Sequence, residues 1–208
     1  CGGISYGDSW SMIGGYAGGP EGAALSCIAC TIILYNAYQC VNGASFPYDL
    51  RTMGNCGRPA LWALGLVFQA LSRNTHLCAN SVLNQTAGPA TSMLLYESAV
   101  GMMTLAACGA SSCTGPRTAG GKYTNYITPL EVRFAGEVFK KSAGMSIGQA
   151  NDIANKLLPK YEEQLGNPGK GQSFKECYNL TSLTPSDEWQ KIYDNVKDEV
   201  IDVGIPLD

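Results

Sequence analysis

The sequence holds a single histidine, His76, and it precedes the strand-like run that follows it. A Ser-His-Asp triad at a strand end is therefore excluded. Charge is scarce as well. Charged residues make up 15% of the chain and the net charge is −3, which leaves no basic patch for nucleic acid or an anionic membrane surface. No apolar run reaches the ~18 residues of a membrane span. The nearest stretch, "SCIACTIILYNAYQC", is interrupted by polar residues. The glycines of "GGYAGGPEG" match neither a Walker A loop nor a dinucleotide fingerprint, and no Lys follows them. Cys27-Ile28-Ala29-Cys30 has no second CxxC and no His pair to complete a zinc site. The nine cysteines are an odd number lying mostly in apolar runs, which reads as free thiols in a reducing cytosol. What remains is a hydrophobic fraction of 45% in 208 residues, enough for one core. The chain opens at Cys1 with no Met and no charged leader, so the expectation is a piece of something larger.

One pattern repeats along the chain: a short strand-like run, a Gly/Pro/Asn loop, then an apolar helix. "GISYG" leads through the glycine segment to "EGAALSCIACTIILYNAYQC". "ASFPYDL" leads to "ALWALGLVFQALSR", "HLCANSVL" to "SMLLYESAVGMMTLAACG", and "ASSCTGP" to "PLEVRFAGEVFKKSAG". The runs begin near residues 3, 44, 76 and 110, about one βα unit apart. Helix starts are marked by Pro20 and Pro59, and by Pro129 inside the capping box Thr128–Glu131. Ser146 and Gln149 form a second capping box, opening a helix that Pro159 is expected to bend. Trp189, Ile192, Tyr193, Val196 and Val200 make the stripe of an amphipathic C-terminal helix.

Four βα units predict an α/β fold, the C-terminal half of an eight-stranded (β/α)8 TIM barrel. Residues 1–145 form that half-barrel and 146–208 a helical extension packed on it. The rival is a flavodoxin-like open sheet. A half-barrel has two raw edges, so the first half is expected to lie outside this sequence.

Loops after the strands build a barrel's active site. That rule selects Tyr6 and Asp8 after the first strand, then Asp49, Arg51 and Asn55. Asn84, Gln85 and Thr86 follow the third strand, and Arg117 and Thr118 the fourth. Asp8 either works as a general acid/base or cation holder, or caps a turn before the glycines. Arg117 either binds an anion or pairs with an acid of the preceding half. The glycine segment reads as a place of close chain approach ahead of a phosphate cradle. Cys27 and Cys30 read as core thiols.

The blocks "IGGYAGGPE", "AGPATSMLLYESA", "EVRFAGEV" and "SFKECYNLTSLTPSDEW" resemble the C-terminal part of the monomethylamine:corrinoid methyltransferases of methanogenic archaea. The resemblance covers nearly the whole chain. It implies a TIM barrel in a cytoplasmic homo-oligomer, with no nucleic acid or membrane partner. It implies methyl transfer from a methylamine to the cobalt of a corrinoid held by a separate partner protein, in methanogenesis. It implies a pyrrolysine upstream of Cys1 and no metal bound by this segment. Asp8 falls where the family has a catalytic-site carboxylate, there a Glu. Tyr6, Asn84, Gln85 and Arg117 are then substrate-binding candidates. The family's Gln and Tyr near pyrrolysine correspond to Val82 and Asn84. That departure leaves open a pyrrolysine-independent member acting on another N-methyl compound, or a non-catalytic barrel subunit.

Overall fold

The computed structural model describes residues 5–208. Cys1 and the expected strand start near residue 3 lie outside them. Four strands, β1 (Tyr6–Ile13), β2 (Asn42–Asp49), β3 (Asn80–Asn84) and β4 (Ser112–Arg117), form one parallel sheet in the order β1-β2-β3-β4. Register runs from Tyr6↔Asn42 to Ile13↔Asp49, through Ala44↔Asn80, and on to Asn84↔Arg117. Between Val82 and Leu83 the register to β4 shifts by a bulge at Gly115. The order reversal of a doubly wound sheet does not occur among these strands.

Each strand is followed by a helix: α1 (Pro20–Asn36), α2 (Arg58–Asn74), α3 (Ser92–Ala107) and α4 (Pro129–Lys141). These pack side by side on one face of the sheet. The side chains of α1 press on Gly7 and Gly43, and Leu83 presses on Gly101 of α3, so these positions mark the helix-facing parity. The other parity, Tyr6, Asp8, Trp10 and Met12 on β1 with Phe46 and Tyr48 on β2, points to the opposite face. Helix α3 is buried almost along its whole length because α2, α4 and two later helices surround it, which explains its lack of a polar stripe.

The remaining elements are α5 (Ile147–Leu157), α6 (Phe174–Cys177), the hairpin β5 (Tyr178–Asn179) and β6 (Thr184–Pro185), and α7 (Asp187–Asp202). Helices α5 and α7 lean on α3, and their apolar residues join the same core as the sheet-covering helices. Both capping boxes form, at Thr128/Glu131 and at Ser146/Gln149. Trp189, Tyr193, Val196 and Val200 are buried as the stripe requires, while Ile192 is half-buried.

Three expectations are corrected. Strand β1 runs through Ile13, so Tyr6 and Asp8 lie within it and not in the loop after it. Strand β3 starts at Asn80, because Thr75 folds the preceding segment back. Its hydroxyl donates to the Leu71 carbonyl and accepts from Leu77 N–H. Pro159 does not bend a long helix: α5 ends at Leu157 and a 3-10 turn takes over. The glycine segment turns back tightly on itself. A Cβ at Gly22 would sit 2.0 Å from the Ala17 carbonyl oxygen. Among the described residues no helix is long and apolar enough to cross a membrane.

Candidate active site

The helix-free parity of the sheet gathers the polar groups. Asp8 is exposed on this face, and the Trp10 indole N–H points at its Oδ2 from 3.5 Å, the long end of hydrogen-bond range. The Arg117 guanidinium, at the end of β4, lies over the Trp10 ring at 4.9 Å, a cation–π contact that crosses the sheet. Trp10 also packs on Phe46 and Tyr48, with ring centroids 5.4 and 5.0 Å away. Tyr48 donates to the Met53 carbonyl at 2.7 Å. Asp8, Trp10 and Arg117 therefore form one connected wall. Tyr6 stands on the same face at the start of β1, about half exposed, and burial of its ring pushes its hydroxyl pKa up.

Asn84 ends β3 fully buried, and neither atom of its side-chain amide has a hydrogen-bond partner among the described residues. Its backbone is held by Asn55, whose N–H donates to the Asn84 carbonyl and whose Oδ1 accepts from Asn84 N–H. Gln85 is not on this face. Its amide turns toward α3, donating to Ser98 Oγ at 3.0 Å and accepting from Arg117 N–H at 3.0 Å. Asp49 and Arg51 pair with each other, Arg51 Nη2 lying 2.6 Å from Asp49 Oδ2. Burial pushes the Asp49 carboxyl up, but the Arg51 hydrogen bonds and charge outweigh it and hold it below its usual range. The structure thus brings Asp8 and Arg117 together through Trp10, leaves Tyr6 at the start of β1, sets Asn84 beside Arg117 at the far end of the sheet, and turns Gln85 away.

Sequence reasoning missed Trp10. Its signal was parity: it stands two residues after Asp8 in a strand, hence on the same face. Sequence reasoning also gave no role to Glu97, which lies mid-helix in α3 with no exposure. Its Oε1 accepts from Thr86 N–H and Thr86 Oγ1, both at 2.8 Å, and its Oε2 from Ala87 N–H at 3.0 Å. Cys27 is a buried thiol pushed up to about 11 by its surroundings, a neutral core group facing the Ser11 and Ser45 hydroxyls. No group of three or more His, Cys, Asp and Glu suited to a metal occurs among the described residues.

Burial pushes two carboxyls, Glu97 and Glu131, up to about 7 against the donors around them. Between the unfolded value and 7 the folded chain binds more protons than the unfolded one. These groups therefore stabilise most at acid pH and lose that contribution as pH rises toward 7, by up to about 1.4 kcal/mol per pH unit each. Asp49, Glu162, Glu176, Glu199 and Asp208 shift downward, so their contributions are lost only at more acid pH. The melting temperature is expected to fall from pH 5 to pH 7. Glu131→Gln and Glu97→Gln should each flatten that slope. A melting temperature that rises across this window would contradict the assignment.

A family model described as monomethylamine methyltransferase MtmB matches residues 3–205. The monomethylamine methyltransferase MtmB of Methanosarcina mazei is 32% identical over 198 residues, 93% of this chain and 42% of that protein. The MtmB3 protein of Methanosarcina barkeri is 30% identical, again over 93% of this chain and 42% of its own length. The crystal structure of the Methanosarcina barkeri monomethylamine methyltransferase superposes with a TM-score of 0.93 at 29% identity, covering 97% of this chain and 44% of that one. The chain spans less than half the length of these relatives. The match runs through β1, the helix-lined sheet and the C-terminal helices alike, and on that ground the chain belongs to the monomethylamine methyltransferase MtmB family.

Proposed function

We propose that this chain is the C-terminal half of a (β/α)8 barrel. The whole polypeptide would transfer a methyl group from monomethylamine to the cobalt of a corrinoid carried by a partner protein. The observation that carries the reading is the wall formed by Asp8, Trp10 and Arg117 on the helix-free face of a sheet that matches the family from end to end. An open sheet edge at β1 and a sheet face that carries no helix both call for further strands. The preceding half would supply them, along with the pyrrolysine expected upstream of Cys1. Residues 146–208 serve as the helical extension of the barrel. The polypeptide would act as a cytoplasmic homo-oligomer.

An amine is a poor methyl donor unless its nitrogen carries positive charge. Asp8 would hold that cation, or keep a proton on the nitrogen as the methyl group departs. Arg117 over Trp10 closes that wall to bulky cations, because the aromatic face a quaternary ammonium would use already carries a guanidinium. Tyr6 and Asn84 would line the same space.

The test is methyl transfer by the full-length polypeptide to a reduced corrinoid protein, with mono-, di- and trimethylamine offered separately. Monomethylamine is expected to be the preferred donor. The unpartnered amide of buried Asn84 favours a second reading, an N-methyl donor that can hydrogen-bond to it. Turnover of such a donor with none of monomethylamine would decide for that reading. Inactivity toward every N-methyl donor would leave a non-catalytic barrel.

A further inference from the structure

The loop after β3 is held by a carboxylate from behind. Glu97 accepts three hydrogen bonds, all from Thr86 and Ala87, and no other residue among those described donates to it. Two of those donors are backbone N–H groups. An acceptor-only carboxylate matches three donors, whereas an amide would turn its own NH2 against one of them. The turn fixed in this way reaches across to β4. Arg117 N–H donates to Gln85 Oε1, Gly120 N–H to the Gln85 carbonyl at 2.7 Å, and Ala119 N–H to the Ala87 carbonyl at 2.8 Å. Ala119 holds φ of 49°, a region unfavourable for a residue with a Cβ, and Gly120 holds φ of 60°, which glycine adopts freely, as the β4 loop bends to make these bonds.

We infer that Glu97 is a positioning residue whose carboxylate fixes the Gln85–Ala87 turn and, through the hydrogen bonds from that turn to β4, sets Arg117 over Trp10 beside Asp8. Glu97 does not reach the helix-free face, so it acts through the loop and touches no substrate. The groups facing it are few. Thr86 and Ala87 come from the loop after β3, Cys56 from the loop before α2, and Tyr161 from the turn after α5. Burial raises both Cys56 and Tyr161 well above their ordinary values, so both stay neutral near pH 7. The charged pair Arg58–Glu162 lies beyond Tyr161, nearer the surface. Glu97 is thus the group of this cluster that changes charge near neutrality, since burial pushes it up to about 7. The charged form binds the turn most firmly even though burial makes that form costly relative to the unfolded chain.

The inference depends on the proposed function for its kinetic readout and not for its structural one. In the full-length polypeptide labelled with fluorotryptophan, the Trp10 resonance, identified through Trp10→Phe, is expected to move with pH with a midpoint near 7. In Glu97→Gln that transition should vanish. Thr86→Val removes one donor to the carboxylate and should raise the midpoint. The methyl-transfer kcat of Glu97→Gln should drop about 10- to 100-fold, the scale of a slightly misplaced catalytic group. A Trp10 transition that persists in Glu97→Gln, or an unchanged midpoint in Thr86→Val, would overturn the inference. If the wild type transfers no methyl group yet the transition is present and disappears in Glu97→Gln, the positioning stands and the functional reading fails.

Discussion

Replacing Asp8 with Asn is expected to slow methyl transfer by the full-length polypeptide about 10²- to 10⁴-fold, the range for loss of a positioned acid or base. The substitution keeps shape and removes charge. Asp8 is exposed on the strand and makes no ion pair among the described residues, so folding should be nearly unaffected. The change in stability should stay within about 0.5 kcal/mol, as for ordinary surface positions. Activity lost at unchanged melting temperature would assign Asp8 to the chemistry. Asp8→Glu restores the carboxylate on a stem one methylene longer and should retain most of the rate. Asp8→Asn with a rate within threefold of wild type would return Asp8 to a purely structural role. A turn cap is already unavailable as that role, because Asp8 sits inside β1 paired with Ala44.

The largest loss of stability is expected from Trp189→Ala, about 3–5 kcal/mol. Trp189 is the largest fully buried side chain and stands in the first turn of α7. Its indole N–H donates at 3.1 Å to Thr128 Oγ1, the N-cap residue of α4. Removing the ring opens a cavity among α3, α4 and α7 and also strips a bond from the Thr128/Glu131 capping box. For a chain of this size that corresponds to a drop in melting temperature on the order of 10 °C. Trp189→Phe should recover most of the packing and leave a deficit of about 1 kcal/mol for the missing hydrogen bond. Chemical denaturation of the three proteins separates the two contributions. A Trp189→Phe as unstable as Trp189→Ala would mean that the polar bond outweighs the packing.

Several features were legible in the sequence because they are set within a few residues of chain. Pro20, Pro59 and Pro129 start helices because proline fixes φ and needs no N–H in the first turn. The capping boxes at Thr128 and Ser146 close over three residues. The stripe from Trp189 to Val200 recurs at the helical period. The run of βα units led to a parallel sheet with sequential strands, and the four blocks of unusual sequence led to the family.

The site was legible only in part, since its geometry depends on partners far away in sequence. Where β1 ends is decided by the length over which β2 pairs with it, and that placed Asp8 inside a strand and Trp10 beside it. Whether Asn84 or Gln85 faces the open side depends on parity along β3, and the bulge at Gly115 shifts the end of β4, and Arg117 with it, against that strand. Arg117 was visible as a cation at a strand end, but its place over Trp10 exists only once β1 and β4 lie in one sheet. Glu97 looked like one polar residue in an apolar helix. Folding alone brings the Thr86 and Ala87 donors onto it and makes it a buried carboxyl that changes charge near neutrality. Local spacing therefore determined most of the elements, and the resemblance carried by four blocks of sequence pointed to the family. Tertiary structure decided which side chains meet, because side-chain contact in a sheet is fixed by register and burial, and neither is a property of any short stretch of chain.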